Sequence, residues 1–304
     1  MSSSLSSKSV LILNPRAGGG ADLSDVIRWG EARLGGQVVV TQRAGEALIA
    51  ARRASVEGAE SVISAGGDGT LHEIINGLAP DFRPAVGILP LGTGNDFARS
   101  LGVPRSPADA MTALESASAT AVDLVRIDGP EPRHIINSAT GGFGVRVEEK
   151  VGARAKSLLG AFAYLLAAAR SASQAQDHRA VITIDGGETI RIETPNVVIA
   201  NGRFVAGGYE VAPKAALRDG FFDVVLVTAQ TLAERLKVAA EVGLGSHLDS
   251  DEIIFRQARR VEVESDPPMP FSLDGETSPG RQRIVFEIVP AALRVLAPAA
   301  APQR

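Results

Sequence analysis

Through its first 127 residues the chain alternates short β-branched runs with longer amphipathic ones, and this alternation restricts the fold more than any other feature of the sequence. Residues 10–13 predict a strand, 22–34 a helix, 38–40 a strand, 45–56 a helix, 61–64 a strand, 70–78 a helix and 86–89 a strand. Strands separated by helices of this length pair in parallel, because a helical crossover returns the chain to the same end of the sheet. The expectation is an α/β, doubly wound, Rossmann-like domain over residues 1–127, with ligands bound beyond the carboxyl ends of its strands. Past residue 125 the pattern changes to strand pairs separated by turn residues, as in 181–184 and 189–192 around Asp185-Gly186-Gly187. Further β runs at 197–200, 222–227, 260–264 and 284–289, with helices at 157–172 and 231–242, predict a β-rich sandwich or barrel over residues 128–304. The last strand is free to return to the first domain, and the ending APAAAPQR reads as a frayed tail.

Composition narrows the chemistry. With 45% hydrophobic and 22% charged residues in 304, the chain can bury sizeable cores. It has no cysteine, which removes disulfides, thiolate metal sites and cysteine nucleophiles. The histidines, His72, His134, His178 and His247, follow no zinc-ligand spacing, so any metal is expected on oxygen, as magnesium or calcium prefers. A net charge of −4 with one Trp and two Tyr argues against a nucleic-acid partner. The opening MSSSLSSK has no apolar signal region, and the longest uncharged apolar segment, 157–169, is shorter than the ~20 residues of a membrane span. A cytoplasmic protein without a transmembrane segment is expected.

Three polar, glycine-bearing loops follow predicted strands: Asn14-Pro15-Arg16 running into Gly18-Gly19-Gly20, Gly66-Gly67-Asp68-Gly69-Thr70, and Leu91-Gly92-Thr93-Gly94-Asn95-Asp96. Glycine lets backbone N–H groups approach a phosphate closely, and a following helix N-terminus favours negative charge there. None matches the P-loop or dinucleotide fingerprints. A carboxylate at Asp68 would repel a phosphate unless a divalent cation lies between them or unless it accepts a substrate proton. Asp274-Gly275-Glu276 reads on spacing alone as a turn, since Asp-Gly recurs along this chain, and alternatively as a general base with a metal or nucleotide contact. Asp219-Gly220 is open to the same two readings, a plain turn or one carboxylate of a hard-cation site.

Together these segments resemble the soluble diacylglycerol kinase catalytic-domain family, which includes bacterial lipid kinases related to diacylglycerol, phosphatidylglycerol and sphingosine kinases. The resemblance is carried by Asn14-Pro15, the GGDGT and LGTGNDFAR loops, Ile136-Asn137 followed by Gly141-Gly142-Phe143-Gly144, Asn201-Gly202, the segment 213–223 and Asp274-Gly275-Glu276. It implies ATP bound between an α/β domain and a β-rich lipid-substrate domain. By that resemblance Asn14, Thr41, Gly66, Gly67, Asp68, Gly69, Thr70 and Thr93 hold the nucleotide, with Asn95 grouped among them. Glu276 is implied as the proton acceptor with Asp274 competing, and Asp68 as a bridge to the catalytic Mg2+. Asp219 with the carbonyls of Ala216 and Phe221 is implied to hold a structural magnesium, and Asp123 to join the nucleotide-side magnesium network. One departure is His72, where the family usually has asparagine; it is expected to face solvent.

The expected activity is ATP-dependent phosphorylation of a lipid hydroxyl, diacylglycerol or a related glycerolipid, at the inner membrane leaflet. Residues 151–170, where Leu158, Leu159, Phe162, Leu165 and Leu166 recur beside Arg154, Lys156 and Arg170, are a candidate membrane contact, with a core helix as the alternative. A kinase for a soluble hydroxyl compound and a nucleotide sensor without turnover are the rival readings, and a homodimer stays open.

Overall fold

The computed structural model describes residues 5, 7–17, 23–35, 37–129, 132–142 and 177–298. They divide into unit 1 (Met1–Leu124, Leu217–Asp219, Val289–Arg304) and unit 2 (Val125–Ala216, Gly220–Ile288).

Unit 1 is built on β1 (Ser9–Leu13), β2 (Val38–Val40), β3 (Ser61–Gly66) and β4 (Ala85–Pro90). They pair in parallel in the order β2-β1-β3-β4. Every residue of β1, β3 and β4 is buried, which is why these strands read as unbroken apolar runs instead of alternating ones. Parallel pairing needs crossovers, and α1 (Ser24–Arg33), α2 (Glu46–Val56) and α3 (Asp68–Leu78) supply them. On α2 the buried stripe is Ala47, Ala51 and Ala54, small enough for α3 to approach its backbone. At the crossing a Cβ on Gly77 would lie 2.3 Å from the Leu48 carbonyl oxygen, so only glycine fits. After β4 come α4 (Asp96–Ser100) and α5 (Pro107–Glu115). The strand order reverses between β1 and β3, so the loops leaving these strands flank a topological switch point, where such sheets bind ligands.

Two strands carry residues of both units: β5 (Ser118–Ile127) and the long β16 (Glu276–Ala297), whose Val295 pairs in parallel with Val86 of β4. Unit 2 is the expected β-rich sandwich. Its remaining strands are β6 (Arg133–Ile135), β7 (Ser138–Gly142), β8 (His178–Ile184), β9 (Glu188–Thr194), β10 (Asn196–Ala200), β11 (Phe204–Val205), β12 (Tyr209–Glu210), β13 (Phe222–Val227), β14 (Ile253–Ala258) and β15 (Arg260–Leu273). Neighbours pair antiparallel in the order β14-β13-β10-β7-β15-β16, with the β8–β9 hairpin on β15. Alternation along β10 and β13 feeds two cores. Val197, Ile199, Val224 and Leu226 join the main cluster, where the Phe271 and Phe286 ring centroids are 5.3 Å apart. Val198, Ala200 and Val225 join a smaller cluster with Val211, Ala212 and Ala215 on the opposite face. Helix α6 (Leu232–Leu244) begins at a Thr231–Glu234 capping box. The helix expected at 157–172, and the candidate membrane contact within 151–170, lie outside the described residues.

Candidate functional site

In unit 1 the loops after β1, β3 and β4 meet. Asn14 sits one residue past β1; its Nδ2 donates to Thr70 Oγ1 at 3.0 Å, and its backbone N–H donates to the Ala65 carbonyl at 2.9 Å. Gly67 caps α3, and a Cβ on Gly92 would lie 2.6 Å from the Gly67 Cα, so both glycines serve a backbone-to-backbone contact between loops. Asn95, at φ 51°, holds the turn by accepting from the Gly92 N–H at 3.1 Å. Asn tolerates this left-handed conformation because its short side chain bonds locally. Thr41 follows β2 and donates through its backbone N–H and its Oγ1 to the Leu13 carbonyl, at 2.8 and 3.2 Å. Thus Asn14, Thr41, Gly66 to Thr70 and Asn95 share one edge of the sheet, and Thr93 lies exposed beside them. Gly18, Gly19 and Gly20 are outside the described residues.

Asp68 is the first residue of α3, two positions before the expected helix start. Its Oδ1 accepts the Asp96 N–H at 2.9 Å, tying the GGDGT loop to the start of α4. The helix N-terminus and this N–H offset the charge that made Asp68 anomalous in sequence. Glu73, which sequence reasoning passed over, reaches from α3 to accept the Gly45 and Ala47 N–H groups at 2.8 and 3.1 Å. It caps α2 and holds the segment that carries Thr41. His72 corrects its expectation: it is buried at 7% exposure, because α3 begins at Asp68 and His72 falls past the first turn on its buried side with Leu71 and Ile75, and Asn76 Nδ2 donates to its carbonyl at 2.9 Å.

Asp123, 2% exposed, accepts the Ala291 N–H at 2.7 Å and donates its own N–H to the Leu217 carbonyl at 2.8 Å. It therefore fastens the three separate chain segments of unit 1 together. Asp219 is exposed in the loop containing half-buried Ala216 and Phe221. An all-oxygen set of one carboxylate and loop carbonyls suits a hard cation such as magnesium. Among the described residues no cluster of three or more His, Asp or Glu side chains could hold a metal ion.

In unit 2, Asp274 and Gly275 make the two-residue turn between β15 and β16, at φ 49° and 93°. The turn reading and the site reading coexist here. Asp274 is 7% exposed, and its carboxylate accepts the N–H groups of Ile136, Asn137 and Ser138 at 2.9, 2.9 and 3.0 Å. The Asn137 carbonyl in turn accepts the N–H groups of Asn201 and Gly202 at 2.8 and 2.9 Å. Asn201 Nδ2 donates to the Ile136 carbonyl at 2.7 Å. The Ile136-Asn137, Asn201-Gly202 and Asp274-Gly275-Glu276 segments are thus one hydrogen-bonded frame, from which Glu276 emerges exposed at the start of β16. Three backbone donors hold Asp274 in that frame, whereas Glu276 is exposed.

Unit 2 also contains a small cavity of about 90 Å³, partly open to solvent, between the β10–β13 face and α6. Val198, Val225, Val227, Val238 and Val242 make it largely apolar. Its volume is well below the ~300–1,000 Å³ typical of small-molecule sites. Sequence reasoning missed it, since it depends on which face of β10 and β13 meets α6, and both faces read as valine-rich.

Comparison with known proteins agrees with this anatomy. Residues 8–127 match the model of the diacylglycerol kinase catalytic domain, and residues 137–297 that of the YegS C-terminal NAD kinase beta sandwich-like domain. A diacylglycerol kinase of Bacillus subtilis (strain 168) is 35% identical over 240 residues, covering 78% of this chain and 77% of its own. A protein of Pectobacterium atrosepticum named a probable YegS-like lipid kinase is 33% identical over 297 residues, covering 95% of each chain. A crystal structure named for a diacylglycerol kinase of Bacillus anthracis str. Sterne superposes with a TM-score of 0.82 at 27% identity, covering 97% of each chain.

Proposed function

The chain belongs to the diacylglycerol kinase catalytic-domain family of lipid kinases, and from that premise we propose that it transfers the γ-phosphate of ATP to the hydroxyl of a lipid, diacylglycerol or a related glycerolipid. In this reading unit 1 binds the nucleotide through Asn14, Thr41, Gly66 to Thr70, Thr93 and Asn95. Their backbone N–H groups and the α3 N-terminus accommodate phosphate charge. Magnesium, when bound, neutralises the charge on the transferring phosphoryl group, and Asp68 is the carboxylate that would hold it. Glu276 accepts the proton of the attacking hydroxyl, while Asp274 and Asn137 fix the turn that carries it. Asp219 with the Ala216 and Phe221 carbonyls would hold a second, structural magnesium. Asp123 acts by fastening the strand segments behind the nucleotide loops.

The observation that carries the lipid acceptor is the similarity to proteins named as a diacylglycerol kinase, at 35% identity over 240 residues, and as a probable lipid kinase, at 33% over 297. A kinase of this kind meets its acceptor at a membrane surface; among the described residues no helix is long and apolar enough to cross one. The test is transfer of labelled γ-phosphate from ATP with magnesium into a bacterial lipid extract in detergent micelles, with Asp68→Ala as control. Labelled lipid that disappears in the control is expected, and chromatography then names the acceptor. Label entering only soluble hydroxyl compounds, or tight ATP binding with no transfer, would overturn the lipid reading.

A further inference from the structure

Strand β7 lies between β10 and β15, and the residues at its start are held from both sides. On the β15 side, the N–H groups of Ile136, Asn137 and Ser138 all go to the Asp274 carboxylate. The carbonyls of Ile136 and Asn137 go instead to the residues just past β10. Asn201 Nδ2 donates to the Ile136 carbonyl at 2.7 Å, and the Asn201 and Gly202 N–H groups donate to the Asn137 carbonyl at 2.8 and 2.9 Å. Since a carbonyl only accepts, the side-chain group facing Ile136 is the NH2, and Asn201 has no exposed surface. The connection runs peptide by peptide. The 136–137 peptide takes Asn201 Nδ2 on its carbonyl and gives its N–H to Asp274 Oδ1. The 137–138 peptide takes the two backbone N–H groups on its carbonyl and gives its N–H to the same oxygen. A hydrogen bond accepted by a peptide carbonyl polarises the group and strengthens the bond its N–H makes.

We propose that Asn201 is a positioning residue for phosphoryl transfer: its amide sets the 136–138 segment, that segment sets Asp274, and Asp274 sets the turn from which Glu276 emerges. The proposal rests on the reading of Glu276 as proton acceptor and extends it to a buried side chain that acts two steps behind it. A proton acceptor works within hydrogen-bond reach of the hydroxyl it deprotonates, and a misplacement on the order of 1 Å can cost about 10²-fold in rate. Glu276 is exposed, so the backbone beneath it has to supply that placement, and Gly275 at φ 93° adds freedom to the turn between it and Asp274. Removing the Asn201 NH2 leaves the buried Ile136 carbonyl short of its donor and weakens the grip of the 136–137 peptide on Asp274 Oδ1.

The experiment is a double-mutant cycle on kcat in the full chain, with labelled γ-phosphate passing from ATP with magnesium into the bacterial lipid extract in micelles. Asn201→Ala should lower kcat by about 10- to 10²-fold and leave KM for ATP within about twofold. In a Glu276→Gln background the same substitution should cost no more than about twofold, because misplacing a base matters little once the base is gone. Asn201→Ser, whose hydroxyl is one bond shorter than the amide, should behave alike and keeps the test available if the alanine variant does not fold. Equal losses with and without Glu276, a raised KM for ATP at unchanged kcat, or wild-type kcat in both variants would overturn the proposal. Amide hydrogen exchange at Asn137 and Ser138 is followed alongside, since it reads the segment without turnover; it should be about tenfold faster in Asn201→Ser than in the wild-type chain. A loss in Glu276→Gln that simply multiplies with the loss in the Asn201 variants keeps the base and removes this inference. If no lipid takes up label, faster exchange at these two amides keeps Asn201 as the residue that sets the Asp274 turn and removes the kinase reading, whereas unchanged exchange removes both.

Discussion

Asp274 and Glu276 stand on either side of one glycine and carry the same charge, yet their surroundings assign them different work. Asp274 is wrapped by three backbone N–H groups, so Asp274→Asn would turn an amide NH2 toward donors that need an acceptor. The expected loss is about 1–3 kcal/mol of stability, read as a drop of several degrees in Tm, together with reduced turnover. Glu276→Gln should leave Tm and ATP binding unchanged and lower kcat by about 10²–10⁴, the usual contribution of a general base. Unaltered kcat in Glu276→Gln would remove it from that role. A third residue sets a pH response of the fold. Burial, and then the nearby Arg126 guanidinium, push the pKa of His134 down from 6.5 to about 4. Between these values the unfolded chain binds the proton and the folded one does not, so stability falls as pH drops from 6.5 toward 4. His134→Leu should flatten Tm against pH across that window; an unchanged slope would assign the acid sensitivity to other groups.

At the scale of elements, the nucleotide loops depend on a contact that tolerates no side chain. A Cβ on Gly92 meets the Gly67 Cα, a backbone atom that cannot rotate away, so Gly92→Ala must push the β3–α3 and β4–α4 loops apart. We expect kcat/KM for ATP to fall by up to about 10²-fold, as a displacement on the order of 1 Å does in positioned sites, with far-ultraviolet circular dichroism unchanged. Wild-type ATP kinetics in this variant would show that the loops need no such register. These loops were legible in sequence because their chemistry is local: glycines, a capping position and a helix start within a few residues. Elements whose limits depend on distant partners were not. The reading of 260–264 and 284–289 as short strands stopped at Asp266-Pro267-Pro268 and Ser278-Pro279-Gly280. In the fold β15 and β16 run through both, because register shifts between Glu264 and Met269 and between Met269 and Phe271 absorb residues that cannot join the ladder. Helix α5 carried a readable start, Ser106 before Pro107 with the Asp109 N–H donating to Ser106 Oγ, but β5 opens on Ser-Ala-Thr-Ala and gave no apolar alternation. The cavity was illegible for the reason given by α6, on which Val238 is the one fully buried residue and the other wall positions are half-exposed.

The path of the chain through the whole molecule makes a prediction that neither unit makes alone. A boundary near residue 127 looks like a place to cut, since the βαβ pattern ends there. Unit 1, however, also owns Leu217–Asp219 and Val289–Arg304, so the chain changes unit four times, and a fragment of residues 1–127 lacks both later segments. Two interactions within unit 1 are lost with them. Asp123 forfeits the Ala291 N–H and the Leu217 carbonyl that it joins in the full chain. Strand β4, buried along its whole length, loses the Val295 segment of β16 and presents an unpaired edge. An open, fully apolar parallel edge is an aggregation site. The 1–127 fragment should therefore be poorly soluble and melt well below the full chain. Appending residues 289–298 through a flexible Gly/Ser linker should restore a soluble monomer with a cooperative melt. If the short fragment already melts as the spliced one does, the returning strand adds nothing to unit 1, and the placement of Asp123 must owe its stability to the first 124 residues alone.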